Sequence, residues 1–349
     1  MLTIDGCIGE GGGQILRSSL ALSMCLNTPF RIINIRRARK KPGLRRQHLA
    51  AVNAATAVSA ANVEGAALGS RELKFIPRHI SAGNYDFDIG TAGSTTLVVQ
   101  TILPALLLAK GSSHLRVKGG THNPLAPPFD FLDLSFFPLI NRMGPRVSGN
   151  LEVPGFYPAG GGILHVDIEP APKLKPIQLV ERGEILEMRA IAMLAYLPQH
   201  IALRELQVIG SELGLNQRAL HLRYVDTAHG PGNVVNVMVR SSHITEVFTS
   251  FGERGVRAEI VAKRVVQSVR RYLDAGVPVG EHLADQLLVP LALAGSGSFM
   301  TLRPSRHTAT NMAVIKRFMY IQFAQQETGT DAWRVTIETE NGNEGREAV

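Results

Sequence analysis

Cysteine is scarce in this chain of 349 residues: only Cys7 and Cys25 occur. Two thiols with no metal-ligand spacing exclude a disulfide framework and a cysteine metal site, and read as reduced core residues. Long apolar runs are missing as well. The longest, Leu97 to Ala109, is interrupted by Gln100, Thr101 and Pro104, and falls short of the roughly 18 to 20 residues a membrane span requires. No basic segment followed by an apolar one opens the sequence, so the expectation is a cytoplasmic protein with no membrane partner. Eleven histidines are present, yet no pair has the i, i+4 spacing of a zinc helix.

Acidic residues are absent between Glu10 and Glu64, where Arg17, Arg31, Arg36, Arg37, Arg39, Lys40, Lys41, Arg45 and Arg46 place nine positive charges. This stretch accounts for the entire formal net charge of +8. Concentrated like charges repel each other, a cost that a polyanion such as phosphate or nucleic acid offsets. A solvated basic loop explains the same composition equally well. With 45% hydrophobic and 19% charged residues, the chain can bury a large core, divided over more than one domain.

The sequence repeats itself. Ile8-Gly9, opening a Gly-rich turn and an apolar helix, recurs as Ile89-Gly90, and Gln100-Thr-Ile-Leu-Pro104 recurs as Gln286-Leu-Leu-Val-Pro290 behind Val279-Gly280. The second interval exceeds the first by roughly a hundred residues, which marks an insertion before the third copy. Each copy reads as strand, helix, strand, helix and then strands. Helices are expected over Gln14 to Leu26, Leu44 to Ala61, Thr95 to Ala109, Phe129 to Arg142, Gln286 to Ala294 and Thr310 to Phe323. The fold class expected is α/β, layered, with three similar units. Residues 1–180 would hold units one and two, 181–276 a smaller inserted α/β domain and 277–338 unit three. The tail 339–349 lacks apolar periodicity and is expected to be disordered.

Familiar nucleotide signatures are missing: Gly9-Glu-Gly-Gly-Gly-Gln14 has neither the Gly-Lys-Ser/Thr ending of a P-loop nor dinucleotide glycine spacing. A Gly-rich turn at a helix start still offers free N–H groups to an anion. Glu10 inside it is tolerable beside phosphate mainly with a metal ion between them; a tight turn with an exposed Glu is the simpler reading. His307 lies in Pro304-Ser-Arg-His-Thr-Ala-Thr-Asn311, just before a helix starting near Thr310. The helix dipole and Arg306 would depress its pKa and keep a lone pair free for nucleophilic attack. Capping or a surface role is the default for such a histidine. Asp285-Gln286 suits a nucleotide contact, though a helix-capping Asp explains it as well.

Several segments together resemble the RNA 3′-terminal phosphate cyclases across nearly the whole chain. They are Gly9-Glu-Gly-Gly-Gly-Gln-Ile-Leu-Arg17, Lys41-Pro-Gly-Leu-Arg-Arg-Gln-His48, Gly90-Thr-Ala-Gly-Ser94, Phe156-Tyr-Pro-Ala-Gly-Gly-Gly162, His229-Gly-Pro-Gly-Asn233, Leu283-Ala-Asp-Gln286 and the His307 segment. The resemblance implies three βαβαββ units with an inserted domain. It also implies a reaction: ATP adenylylates His307, AMP passes to an RNA 3′-phosphate, and the vicinal 2′-hydroxyl closes a 2′,3′-cyclic phosphate. Mg²⁺ or Mn²⁺ is implied with it. Carried over by position, Glu10 is the metal and ATP contact. Arg17, Gln100, Pro127, His282, Leu283, Ala284, Asp285 and Gln286 are expected around ATP. Arg36, Arg39, Gln47 and His48 are expected around phosphate or RNA. His282 stands where a stacking Tyr is expected, so adenine affinity should differ. The family also has a nucleolar, non-catalytic branch that assists ribosome assembly; His307 argues against it. An enolpyruvyl-transferase-like activity would share only the repeated architecture.

Overall fold

A computed structural model describes residues 1–340, so the expectation of disorder from 341 onward lies outside the described residues. The first sheet takes β1 (Leu2–Asp5), β2 (Phe30–Ile33), β3 (Asn62–Glu64) and β4 (Leu73–Ile76), in the order β1-β2-β4-β3. Helix α1 (Gly13–Cys25) joins the parallel pair β1 and β2, and α2 (Arg46–Ser59) leads on to β3. The second unit repeats this with β5 (Asn84–Asp88), α3 (Thr95–Leu106) and β6 (Ser113–Gly119). It continues through α4 (Phe129–Phe131), a π-helical stretch Leu132–Phe136, α5 (Phe137–Arg142), β7 (Arg146–Val153) and β8 (Gly162–Glu169), giving the sheet order β5-β6-β8-β7.

The third unit begins with β9 (Gln178–Leu179) and is then interrupted. The interruption contains β10 (Ile185–Ala195), α6 (His200–Leu213), β11 (Leu220–Val225), β12 (Gly232–Ser241), β13 (Thr245–Phe251) and α7 (Ala258–Ala275), with the sheet order β11-β10-β12-β13. The unit resumes with α8 (Glu281–Ala294), β14 (Ser296–Thr301), α9 (Arg306–Phe318), β15 (Ile321–Gly329) and β16 (Ala332–Thr339), in the order β15-β16-β14-β9. Gln178 and Leu179 pair in parallel with Ser298 and Phe299. The first strand of unit three therefore precedes the insertion, inside the stretch 1–180 expected to hold only units one and two.

Two more expectations need correction. The helix foreseen over Thr310 to Phe323 is α9, which starts earlier because Ser305 caps it, its side chain accepting from the Thr308 N–H, and stops at Phe318 where Met319 turns extended. Ile321 to Gly329 is strand. Thr339, counted at the start of the tail, ends β16 and pairs with Ile321 of β15.

In the three repeated units the helices lie inside and the sheets outside. The strands alternate, β6 burying Ser113, Leu115, Val117 and Gly119 while the residues between face outward, as a sheet with one wet face requires. One apolar core draws Leu20, Val52, Ile102, Leu132, Leu287 and Val314 from all three units. The inserted domain has its own core, with Val261, Val265, Val266, Val269 and Tyr272 of α7 under β10 and β12. Each fully buried side chain of this kind contributes about 1.5–3 kcal/mol. The other face of its sheet docks on the large domain: Val234 and Met193 meet Phe156, and Met238 and Val247 join the large core.

Candidate functional site

Three helix starts from two units converge. Gly9 has φ +59, and a Cβ there would strike the Thr310 side chain; at Gly13 it would strike His48 Nε2. The turn is thus glycine-rich because α9 and α2 press on it. Thr310 Oγ1 accepts the Glu10 N–H at 3.1 Å and donates to the Arg306 carbonyl, fastening the turn to α9. Ser18 donates to Asn311 Oδ1 at 2.7 Å, and Asn311 donates to the Asp285 carbonyl at 3.0 Å, so α1, α8 and α9 are tied together.

His307 is the second residue of α9, and its side chain is 56% exposed. Its Nδ1 lies 2.8 Å from Gln14 Oε1 and 3.3 Å from Glu10 Oε1. The Gln14 amide donates to both Asp285 oxygens, at 2.7 and 2.8 Å. A carboxylate only accepts, so the Gln14 NH₂ must face Asp285 and its carbonyl must face His307. The proton of the neutral ring therefore sits on Nδ1, and Nε2, which makes no hydrogen bond among the described residues, keeps its lone pair.

The expected depression of the His307 pKa does not hold. Its hydrogen bond to Glu10 raises it, with the Glu10 and Asp285 charges adding, against burial and Arg17. Two carboxylates outweigh the cations the sequence placed nearby. Burial would raise Glu10, but His307, Arg39 and Arg17 together hold it below its ordinary value. Burial pushes Asp285 up against Gln14, His307, Arg17 and His282. Arg17 is lowered by burial to about 10, offset in part by Asp285 and Glu10. His48 is pushed down to about 3 by burial and by Arg17, Arg36 and Arg45. It is therefore a neutral ring whose Nδ1 accepts the Arg45 N–H at 3.1 Å, leaving Nε2–H beside Gly13 as a donor.

The remaining expected residues divide. Arg39 pairs with Glu10 at 2.9 Å. Arg36 donates to the Lys41 and Gly43 carbonyls, so it braces the basic loop. Gln47 packs on Gly93 of unit two. Gln100 and Gln286 hydrogen-bond to each other and line a cleft with Gln14, Arg17 and Asp285, to which Leu103 and Phe136 add apolar wall. Leu283 and Ala284 are buried in the core and present almost no accessible surface to a ligand. His282 is exposed on the first turn of α8. The Pro127 carbonyl accepts Thr96 Oγ1 at 2.7 Å, in the loop before α4. Of the nine basic residues, Arg31 is bound to Glu72 on the first sheet and does not join the exposed face of Arg37, Arg39, Lys40, Lys41, Arg45 and Arg46. Sequence reasoning gave Gln14 no role; its place at the start of an apolar helix, directly after the last glycine of the turn, was the available signal.

Among the described residues no three His, Cys, Asp or Glu side chains converge on a metal position. Glu10 is a single carboxylate, which fits a divalent cation that takes its other oxygens from phosphates and water. No helix among them is long and apolar enough to cross a membrane.

The fold is α/β, and beside its cleft the starts of α1 and α9 bring together His307, with one ring nitrogen free of hydrogen bonds among the described residues, Glu10, Arg39 and an α1 start with no side-chain cap. The family model for RNA 3′-terminal phosphate cyclase (RTC) matches residues 8–325. An RNA 3′-terminal phosphate cyclase of Koribacter versatilis (strain Ellin345) is 49% identical over 339 residues, covering 97% of this chain and 95% of that one. The chain belongs to the RNA 3′-terminal phosphate cyclase family. The crystal structure of the enolpyruvyl transferase NikO from Streptomyces tendae aligns at TM-score 0.38 and 11% identity, over 93% of this chain and 46% of that one, too distant to inform the site.

Proposed function

We propose that this chain converts RNA 3′-phosphate ends to 2′,3′-cyclic phosphates with ATP, through an adenylyl group on His307. The observation that carries the reading is the Asp285–Gln14–His307 chain of hydrogen bonds, which leaves Nε2 as the only free ring nitrogen. Nε2 attacks the α-phosphorus; the N–P bond forms as the bond to the β-phosphate breaks and pyrophosphate leaves. Nδ1–H, held by Gln14 and Glu10, steadies the positive charge on the ring. Arg17, Arg39 and neutral His48 face the phosphates beside the open start of α1. An oxygen of the RNA 3′-phosphate then displaces His307 from the adenylyl phosphorus. Finally the 2′-hydroxyl attacks the 3′-phosphorus, closing the ring and expelling AMP.

Glu10 would hold Mg²⁺ or Mn²⁺ together with phosphate oxygens, and the ion would supply neutralisation of the triphosphate and of Glu10 itself. Gln100, Gln286 and the first turn of α8 are the proposed nucleoside side, with His282 and Pro127 on the two faces of the base. The exposed cations of the 37–46 loop meet the RNA backbone. The two free cysteines suit a reducing cytoplasm.

Incubation with α-labelled ATP and Mg²⁺ should leave acid-labile label on the protein, and His307→Asn should abolish it. A 3′-phosphorylated oligonucleotide should then gain a cyclic end. RNA binding with no label and no cyclic product would instead favour a non-catalytic assembly factor.

A further inference from the structure

The three repeats present equivalent helix starts, and each is completed differently. At α3, Ser94 caps its own helix, accepting from the Leu97 N–H at 3.2 Å. At α1, the Gly12 cap supplies no side chain and leaves the end open, where phosphate is proposed to sit. At α8 the cap is again glycine, Gly280, with no side chain to offer. Here the N–H is taken by Glu246 Oε1, which comes from β13 of the inserted domain. Glu246 is 2% exposed, and a Cβ on Gly280 would lie 2.9 Å from that oxygen, so only glycine leaves it room.

We propose that Glu246 is a positioning residue through which the inserted domain fixes the first turn of α8, and with it the exposed His282 proposed to face the base. The free N–H groups at a helix start otherwise fray into water. Asp285 lies about 7.5 Å further along the axis and is held independently by Gln14 and Asn311. Loss of Glu246 should thus loosen nucleotide binding while sparing the His307 relay. Burial pushes the Glu246 carboxyl up to about 8, against the Gly280 and Val247 N–H groups. The titratable group facing it is Tyr272 of α7, stacked under Arg182. Near neutrality Glu246 is mostly the uncharged acid, which glutamine copies in shape and acceptor.

This inference rests on the ATP reading above, and the test separates the two. The ATP dependence of self-labelling is measured on the full chain for Glu246→Ala, Glu246→Gln and, as a destabilised control, Glu205→Ala, which removes a different buried carboxylate of the inserted domain. Glu246→Ala should raise half-saturating ATP roughly tenfold, a coupling of ordinary size, with the saturated rate within about twofold. Glu246→Gln should restore both, and Glu205→Ala should shift neither. In parallel, hydrogen exchange of the 278–286 segment without ATP should quicken in Glu246→Ala and not in Glu246→Gln. Unchanged exchange and unchanged half-saturation in Glu246→Ala would overturn the proposal, as would a Gln variant as impaired as Ala or a control that shifts equally. If the wild type takes no label, the nucleotide reading fails, and the exchange measurement still decides whether Glu246 anchors α8.

Discussion

Replacing Gln14 by Leu tests the relay most sharply, because the side chain keeps its volume and loses both polar contacts. His307 Nδ1 loses an acceptor at 2.8 Å, and Glu10 at 3.3 Å is left as its sole partner. Asp285 loses two donors at 2.7 and 2.8 Å in a site where burial already pushes it up. A neutral hydrogen bond contributes about 1 kcal/mol and one to a charged group about 1.5–3 kcal/mol. Protonation of Asp285 limits the folding cost to about 2–3 kcal/mol, since the neutral acid no longer demands two donors. Freed from Gln14, the ring divides between tautomers and orientations, and about 1.5–3 kcal/mol of lost preference corresponds to a roughly 10- to 100-fold slower labelling by ATP. Rapid-quench measurement of protein-bound label at saturating ATP reads this rate directly. Gln14→Glu should also be slow, because a further carboxylate beside Glu10 and Asp285 favours the protonated ring, and it should recover partly as pH rises. Wild-type labelling in Gln14→Leu, with His307 still required, would refute the relay.

Glu10→Gln removes the largest influence raising His307. Without divalent cations, an NMR titration of the His307 C2–H should therefore give a lower pKa than in the wild type. The sign follows for stability: the raised pKa stabilises the fold below the ordinary histidine value, and that share is lost as pH rises through the folded value. Glu205 behaves alike: burial raises it to about 7 against Asn233 and Arg204. Its neutral form belongs to the fold, so stability should decline between its ordinary value of 4.5 and about 7 by up to about 1.4 kcal/mol per pH unit. Thermal melts of Glu205→Gln should show a flatter pH dependence than the wild type.

Much of this was legible along the chain. The Gln100 and Gln286 match, each followed four residues on by proline, located two equivalent helices, and the Gly turns located their starts. β9 was not legible, since two residues carry no periodicity and their pairing depends on a strand more than a hundred residues away. β15 was missed because almost all of it is exposed, so no alternation marks it. Leu283 and Ala284 belonged to a motif expected to touch nucleotide, yet helical geometry turns them to the core while His282 is exposed and Asp285 lines the cleft. The His307 pKa took the opposite sign because Arg306 is adjacent in sequence, whereas Glu10 and Asp285 arrive only with the fold. Gln14 and Glu246 act across unit and domain boundaries, which periodicity does not report.

The most direct measurement is the chemical identity of the adenylyl linkage. The protein is labelled with ATP, digested under mildly alkaline conditions that preserve phosphoramidates, and the modified peptide is fragmented by mass spectrometry. AMP is expected on the peptide containing His307, with the ring joined through Nε2 and not Nδ1. AMP on a lysine, on another histidine or on Nδ1 of His307 would contradict this expectation.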